Sequence, residues 1–498
     1  MSTFVIISCT KYRAENNISA NSTQTDQPIS SDEEKAVETF NHFMEMLNKN
    51  GDPQTRAATP EARIVSVRKT SAATYGGATQ TRAGDDKGLV TYELTLENPD
   101  NTQGFAVVAD PALVDQVIAY APVGSIADTV YNEGLAMYFR ELAMLSEIIS
   151  RKAATRADVW QSGWESKFNK RVSEYEFIKW LTPEESQAMN SLRPGGPGTS
   201  IWYCNPVDKM EITSAYVPTL WGQKDPYNIC VPVYVNGYST TRSKVGCYAV
   251  AVGQIMAYHK YPPQYPTVFP SSWYGYYDPP WRGDNINWNL LTQSPTVSSK
   301  RIIWYGENYA TCPGNTVAIE TAAQWEVSQL LYSIARAGQT EFRAYVTPYG
   351  AGATHFSMTV EGLNTMGYDA NDIKYDGEPI SAQVVREELQ NHRPVLVAAQ
   401  GYLGIDLDNI TGHIWVIDGT FAQERWEYMS FVQYGGEYNG KEGLNRYRVQ
   451  GNLAHCNWGW DGSSNGWYYC FWPFYEETNE GLMLSFNKHL YTGIKPKQ

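Results

Sequence analysis

The sequence predicts an α+β protein, in which a small unit of helices and strands precedes a larger unit made of a helical part and an antiparallel sheet. Apolar residues recur at three- and four-residue spacing over residues 33–47, which predicts a helix, and alternating strands with a hairpin turn follow it. Further on, an apolar run beginning at Cys247 predicts a buried helix. Apolar strands are predicted at residues 394–399 and 413–419. The further predicted elements are helices at 319–337 and 384–389, an irregular loop at 265–285 and a polar finish over 475–498.

Length and composition narrow the class of protein. A chain of 498 residues is long enough for about two to four domains, and 42% hydrophobic with 18% charged residues is ordinary for a globular chain. The net charge of −14, without a cluster of Lys and Arg, argues against a nucleic-acid partner. The seven cysteines contain no C-x-x-C pair, so neither a zinc ribbon nor a thioredoxin-type site is indicated.

The first unit is predicted to fold as a helix, a small antiparallel sheet and a second helix, and it contains no catalytic set of residues. Asn98–Asn101 provides the turn of its hairpin. The predicted elements are the helix at 33–47, strands at 64–67, 89–96, 104–109 and 117–120, and an amphipathic helix at 131–149.

Two linkers follow this unit. Residues 151–179 are rich in Arg and Lys among small and polar residues, and residues 192–198 consist mainly of Pro and Gly. Exposed basic linkers are natural sites of proteolysis, so this region is a candidate for cleavage.

Cys247 is the candidate nucleophile. It follows Gly246 and opens an apolar run that must end at Pro262, because proline lacks the N–H and fixes φ. A cysteine in the first helical turn lies where free backbone N–H groups favour negative charge, which is expected to lower its pKa and produce the reactive thiolate. The alternative is a buried structural cysteine.

A thiolate nucleophile needs a base, and the base needs a group that orients it. His413 begins an apolar strand that ends at Asp418–Gly419, and Asn457 lies beside Trp458 and Trp460. The order Cys, His, Asn along the chain is that of papain-type proteases, in which the three residues meet in space.

These residues resemble those of the streptopain-type cysteine proteases, secreted bacterial enzymes of papain-like fold that are made as zymogens. The resemblance covers residues 215–475 well and the preceding region more loosely. The matching segments are Gly246–Cys247 with Gln254–Pro262, Gly412–His413 with Val416–Gly419, Asn457–Trp460, Trp221–Asn228, and more weakly Ile286–Asn289 and Tyr349–Ala353.

The resemblance implies a domain order and a set of partners. Residues 32–150 would form a small α+β inhibitory propeptide, 151–205 a linker with the activation cleavage, and 206–498 a papain-like protease domain. Its partners would be protein substrates and its own propeptide, with neither a metal nor an organic cofactor. Against the family pattern, the linker is longer and residues 402–411 look extended, so the cleavage site and the substrate preference stay open.

The resemblance also implies residue roles. Cys247 would attack a peptide carbonyl, and His413 would act as general acid and base. Asn457 would orient the imidazole, and the Gln223 side chain would form an oxyanion hole with the Cys247 backbone N–H. The further candidates at the cleft are Trp458 and Trp460, which would exclude water, together with Gly412, Ala351 and Gly352.

The first residues of the chain contain a separate motif. Residues 4–8 form a short apolar run that ends at Cys9, which resembles the end of a bacterial lipoprotein signal in which that cysteine is acylated. The run is too short to span a membrane and lacks the usual basic start. Residues 10–31 are polar and predict a flexible tether. Together they predict a secreted or cell-surface protein, with membrane attachment through a lipid on Cys9 as one form.

Other interpretations stay open at the level of sequence. His455 is a rival base because it lies two residues from Asn457 and so on the same strand face. A zinc site from His413, His455 and Cys456 lacks a standard ligand spacing. The same catalytic pair could carry out transamidation, and the scaffold could be an inactive surface binding protein.

Overall fold

The computed structural model describes fifteen stretches of the chain. They are residues 30–50, 62–76, 89–109, 116–143, 146, 200–236, 239–297, 309–312, 315–318, 321–342, 352–375, 380–402, 410–433, 441–469 and 486–497. Within these stretches, no helix is both long enough and apolar enough to cross a membrane.

One large antiparallel sheet runs through the described part of the chain. Its strands follow the order β1-β2-β3-β4-β16-β15-β14-β13-β17-β12, and β5 pairs with β14 beside this path. The strands of this sheet are β1 Arg63–Ser71, β2 Val90–Glu97, β3 Gln103–Ala109, β4 Val117–Ala121, β5 Ser200–Ser214, β12 Tyr368–Tyr375, β13 Val395–Tyr402, β14 Ile410–Gln433, β15 Lys441–Asn457, β16 Gly466–Tyr469 and β17 Phe486–Pro496. Three short hairpins lie outside it: β6 Val233–Asn236 with β7 Ser239–Arg242, β8 Tyr309–Cys312 with β9 Asn315–Ala318, and β10 Glu341–Phe342 with β11 Gly352–Ala353.

The helices of the described residues lie on both faces of this sheet. They are α1 Ser31–Asn50, α2 at residues 133–143, α3 Cys247–His259, α4 Trp288–Leu291, α5 Ala322–Ala337, α6 Thr359–Thr365 and α7 Ala382–Gln390. The predicted α+β class, with a helical part packed on an antiparallel sheet, is confirmed.

The N-terminal unit, defined as the described residues 30–146, shares its sheet with the rest of the chain. Strand β4 pairs with β16 through Tyr120 opposite Trp467 and Ala119 opposite Tyr468. Strand β16 in turn pairs with β15, which ends at Asn457. The two units are therefore joined by backbone pairing as well as by side chains.

The two helices of the N-terminal unit cover opposite faces at this junction. Trp467 belongs to the apolar cluster under α1, whereas its neighbour Tyr468 belongs to the cluster under α2, as expected for successive residues of a strand. In the α1 cluster, the Phe43 ring lies 5.5 Å from the ring of Phe421 on β14. In the α2 cluster, the rings of Tyr138 and Tyr468 are 5.0 Å apart.

Helix α3, which begins at Cys247, is buried along almost its whole length. It packs against the sheet residues Ile414 and Val416 and against α5, where a Cβ at Gly253 would lie 2.7 Å from Leu331. The helix ends at His259, and Lys260 takes a left-handed conformation and donates its backbone N–H to Met256. The predicted end before Pro262 is confirmed.

The predicted elements agree with the structure apart from the chain terminus. The helices expected at 319–337 and 384–389 are α5 and α7, and residues 265–285 form the expected irregular loop. The expectation of a polar finish over residues 475–498 was wrong for its last part, because β17 lies inside the sheet between β13 and β12. Leu490, Tyr491 and Ile494 are fully buried there, which outweighs the polar residues between them.

The Phe43→Ala variant tests the packing of α1 on the sheet. Phe43 is 3% exposed and contacts both Tyr120 of the N-terminal unit and Phe421 of β14. Its truncation leaves a cavity, so the free energy of unfolding is expected to fall by about 3–5 kcal/mol. Chemical denaturation followed by tryptophan fluorescence measures this, with Val130→Ala, at a side chain that is 67% exposed, as the control. An unchanged midpoint for Phe43→Ala would contradict the packing described.

Candidate active site

The loop before Cys247 has a backbone that only glycine allows. Gly246 has a φ of +100°, and a Cβ there would lie 2.6 Å from the carbonyl oxygen of Gly352. The Gly352 N–H donates to the Lys244 carbonyl at 3.1 Å. Gly352, predicted to line the cleft, therefore lies against the residues that lead into the Cys247 helix.

Cys247 is the first residue of α3, as predicted, but its thiol is not activated here. Burial raises the pKa of Cys247 to about 11, and this outweighs the lowering by the backbone N–H groups of Ile414, Tyr248 and Cys247 itself. The negative charge of Glu133 raises the pKa further. The expected lowering of the Cys247 pKa by the helix N-terminus is thus wrong here. Desolvation destabilises the thiolate more than the N-terminus of α3 stabilises it.

His413 precedes Ile414, the residue whose N–H is directed at the Cys247 thiol, but the His413 ring contacts other groups. Ile414, whose N–H is directed at the Cys247 thiol, packs with the helix α3 cluster, whereas His413 stacks on Trp415, 6.1 Å away. The Nε2 of His413 lies 3.0 Å from the Trp458 carbonyl oxygen. Since a carbonyl only accepts, Nε2 carries the proton and Nδ1 is the free acceptor of the neutral ring. Burial lowers the pKa of His413 to about 4, so the ring is neutral at pH 7.

Glu133 of the N-terminal unit enters this site. Its Oε1 lies 3.3 Å from Lys244 Nζ, and its Oε2 lies 4.0 Å from His413 Nδ1. All three side chains are at most 6% exposed. Burial raises the pKa of Glu133, and the Lys244 ammonium opposes that shift. The free nitrogen of His413 therefore faces a carboxyl group of the N-terminal unit.

The neighbouring Gly134 lies close to the same ring. A Cβ at Gly134 would lie 2.7 Å from His413 Cδ2 and in hard contact with the Trp458 ring. A side chain at this position would have to displace one of the two rings. The close approach of helix α2 to His413 thus requires glycine here.

Asn457 is tied to the Cys247 helix. Its Nδ2 donates to Gln254 Oε1 at 2.9 Å, and Gln254 Nε2 donates back to Asn457 Oδ1 at 3.2 Å. Asn457 Oδ1 also accepts from the Gly459 N–H, and Nδ2 donates to the Thr219 carbonyl. The predicted contact of the Asn457 amide with the imidazole is not formed in this state, where the Trp458 carbonyl meets His413 instead.

Gln223 lies beside the loop that leads to Cys247. Its carbonyl accepts the Val245 N–H at 3.0 Å, which fixes it beside the loop that leads to Cys247. Its side chain is 1% exposed, yet Nε2 has no hydrogen-bond partner among the described residues. A buried donor without a partner costs about 1–3 kcal/mol unless something fills its place.

The two predicted tryptophans line the site. Trp458 is 1% exposed and packs on Trp415 and near His413, with ring centroids 5.3 Å and 6.3 Å away. The Trp460 ring lies under the Lys244 ammonium at 4.4 Å. Gly412 is exposed and directly precedes His413. Ala351 and Cys9, the remaining predicted residues, lie outside the described residues.

His455 is engaged elsewhere. Its Nδ1 lies 2.5 Å from Asp418 Oδ1, and its ring packs against Tyr216 and Trp467. Across the described stretches, no group of three or more His, Cys, Asp or Glu side chains could hold a metal ion. Cys456 is buried.

Sequence reasoning missed three side chains at this site: Glu133, Lys244 and Gln254. Gln254 falls within a segment that matched the family pattern, but nothing local indicated that it would pair with Asn457. Glu133 and Lys244 are 111 positions apart, and a lone charge in a helix or loop normally indicates a solvated surface. Their pairing is evident only in the structure, where both side chains are buried together.

Comparison with known proteins gives a family match for the region that contains this site. The Peptidase C10 family model matches residues 221–468. The thiol protease/hemagglutinin PrtT of Porphyromonas gingivalis is 26% identical over 261 residues, which are 51% of this chain and 23% of that protein. The chain thus spans about a quarter of the length of this curated relative.

Two solved structures from Prevotella intermedia are also similar. A fragment of prointerpain A has a TM-score of 0.42 at 17% identity, and the match covers 87% of this chain and all of the fragment. The active interpain A cysteine protease has a TM-score of 0.35 at 21% identity, over 57% of this chain and 94% of the other.

The pH dependence of thiol alkylation tests the state of Cys247. With a pKa of about 11, fewer than about one Cys247 thiol in a thousand is ionised at pH 7.5. In the intact chain the rate of modification at Cys247 by iodoacetamide is expected to rise about tenfold per pH unit between pH 7 and 10. Mass spectrometry of the Cys247 peptide measures the rate, with the buried Cys230 as an internal comparison. A rate that is already constant with pH near neutrality would contradict a buried neutral thiol.

Proposed function

Because residues 221–468 of this chain belong to the Peptidase C10 family, we propose that it is a cysteine endopeptidase held latent by its own N-terminal unit. The observation that supports the proposal is that the N–H of Ile414, the residue after His413, is directed at the Cys247 thiol, and that Gln223, whose Nε2 has no partner among the described residues, lies beside the loop that leads to Cys247. Residues 32–150, which include most of the N-terminal unit, are then the inhibitory propeptide, and residues 206–498 form the protease domain. Its substrates are proteins.

The proposed reaction is acyl transfer through a thioester. Cys247 Sγ, as thiolate, attacks the peptide carbonyl carbon, and the C–N bond breaks as the His413 imidazolium gives its proton to the leaving amine. A water molecule, deprotonated by the neutral imidazole, then attacks the thioester and releases the acid and the thiol. No cofactor is needed for these steps.

Gln223 supports this chemistry from the other side of the thiol. Its Nε2 lacks a partner among the described residues and so is free to donate to the oxygen of the tetrahedral intermediate, beside the backbone N–H of Cys247. Such a preorganised donor is worth about 10²–10³ in rate in other acyl-transfer enzymes. The role of oxyanion donor also accounts for the cost of burying the amide unpaired.

Latency follows from the contacts of Glu133 and Gly134. The Glu133 carboxyl group faces the nitrogen of His413 that would otherwise receive the thiol proton, and Gly134 packs on the ring. The Cys247 thiol and the His413 ring are then both neutral, whereas the active pair is thiolate and imidazolium. Departure of helix α2 frees His413 to turn towards Cys247, and Asn457 is proposed to orient the imidazole in that form.

The proposed activation is cleavage between about residues 151 and 193, and the proposed location is outside the cell. Both regions that bear on this lie outside the described residues: the basic linker and the segment that ends at Cys9. Attachment through a lipid on Cys9 belongs to the same proposal. Mass spectrometry of the membrane fraction would detect the acylated peptide.

The first test is incubation of the full-length protein under reducing conditions. Wild type is expected to lose a fragment of about the first 150–200 residues, and then to digest casein, as the propeptide leaves. Cys247→Ala should do neither, since the nucleophile is absent. Gel electrophoresis over time measures both steps.

The controls separate latency from inactivity. A thiol alkylator should block processing in wild type, and a trace of trypsin should substitute for self-processing. If the trypsin-treated wild type also fails to cleave casein, the protease proposal is wrong and a binding role on this scaffold takes its place. Transfer of the acyl group to an added amine, in place of hydrolysis, would identify a transamidase.

The Glu133→Gln variant tests whether the contacts of Glu133 with Lys244 and His413 keep the protease latent. It keeps the shape of the side chain but leaves the buried Lys244 without its counterion, which typically costs 3–5 kcal/mol of the docked state. Processing is therefore expected to start at least about tenfold faster than in wild type. Glu97→Gln is the matched control, because Glu97 pairs with Arg63 at an exposed position where ion pairs contribute about 0–1 kcal/mol. Equal lag times for all three proteins would contradict the role of Glu133 in latency.

A further inference from the structure

We infer that Lys244 forms a subsite for an acidic side chain, so that the enzyme prefers protein substrates with Glu or Asp close to the scissile bond. This inference rests on the proposed function and adds a substrate class to it. The catalytic residues alone would accept any peptide bond, since they contact only the backbone groups of the bond that is cleaved.

The groups around Lys244 hold its ammonium in a position where it can bind an anion. The side chain is 2% exposed, and Nζ lies 3.3 Å from the Glu133 carboxylate. The Trp460 ring lies 4.4 Å from the ammonium and forms the wall behind it. An aromatic face holds an ammonium group in place without neutralising its charge, so the ammonium stays available to an anion.

The occupant of this site in the latent form belongs to the segment that departs. Among the described residues, Glu133 is the carboxylate that pairs with Lys244. Once helix α2 leaves, the ammonium lies in a pocket shaped for a carboxylate but holds none. A charge left partly buried without its partner is unfavourable, and a substrate carboxylate restores the pair.

The other acidic group near this wall cannot replace Glu133. Asp461 follows Trp460, but its carboxylate packs against Gly222 and interacts with Tyr227 and Lys224. The backbone N–H of Asp461 donates to the Trp221 carbonyl, which holds the residue in that position. The counterion of Lys244 must therefore be supplied by the substrate.

The position of Glu133 gives the distance from the subsite to the chemistry. One of its oxygens contacts Lys244 Nζ, while the other lies 4.0 Å from His413 Nδ1. Lys244 also lies three residues before Cys247 in the chain. Since an extended chain advances about 3.3–3.6 Å per residue, the acidic side chain belongs within about two residues of the cleaved bond.

The test is a set of fluorogenic peptides that carry Gln or Glu at each position within three residues of the cleaved bond. The enzyme is the full-length protein activated in solution, without separation of its parts. A charge-assisted hydrogen bond predicts a kcat/KM about tenfold higher for Glu than for Gln at one position. The Lys244→Met variant should lose this ratio while it still cleaves the Gln peptide. Lys224→Met, which removes an exposed positive charge nearby, should keep the ratio.

Each outcome decides the inference. Cleavage of Gln and Glu peptides at equal rates by wild type would overturn the subsite and leave the protease proposal intact. A preference that survives in Lys244→Met would place it elsewhere and also overturn the subsite. If Lys244→Met does not fold, loss of the wild-type ratio in high salt supports the subsite, and a ratio unchanged by salt contradicts it. If no peptide is cleaved by wild type, the protease proposal fails and the subsite with it.

Discussion

The reciprocal amide pair of Gln254 and Asn457 joins the helix that carries Cys247 to the strand that leads to Trp458. Gln254 Oε1 also accepts the Trp221 N–H at 3.3 Å, two residues before Gln223. Three parts of the candidate site thus meet at one fully buried side chain. Because hydrogen bonds are stronger in a water-excluded interior, this contact helps to fix the relative positions of the Cys247 helix, Asn457 and the segment that leads to Gln223. It contains no group of the N-terminal unit, so it can persist after that unit departs.

Against this rigid frame, His413 and its charge state are the variable part. The buried ring lies between the Trp458 carbonyl on one side and Glu133 on the other, and both it and the partly buried Cys247 thiol are neutral. Helix α3 offers its N-terminus to Cys247, but desolvation outweighs that contribution as long as the site is closed. Exposure of the cleft therefore changes the chemistry of the nucleophile as well as access to it.

Much of this arrangement could be predicted from the sequence, because its signals are local. The run from Cys247 to Pro262 predicts a helix and its end, and the spacing of apolar residues predicts α1, α5 and the strand before His413. Gln223 and Asn457 were placed at the site through family resemblance, and both lie beside the expected elements. The polar residues of β17 concealed a central strand, since its burial depends on neighbours far away in the chain.

The contacts that set the state of the site could not be predicted in this way. Glu133 and Lys244 are single charges whose pairing depends on how the two units dock. The spacing of residues along the sequence carries no information on that docking. The partner of His413 is a backbone carbonyl, which every residue possesses, so sequence could not distinguish Trp458 from its neighbours. The raised pKa of Cys247 likewise reflects desolvation of the thiol and the charge of Glu133, which the sequence of its helix does not reveal.

The pairing of β4 with β16 has a consequence for the life of the protein after activation. If the N-terminal unit is lost, as we propose, β16 would become an edge strand with a free row of backbone N–H and carbonyl groups, next to β15 and its Asn457. Open edges recruit strands from other chains and so promote self-association. Strand β16 limits this danger by its length, since Gly466–Tyr469 offers only four residues to an incoming chain. In that proposal the N-terminal unit would cover this strand edge as well as His413, and the short length of β16 would limit self-association after the unit leaves.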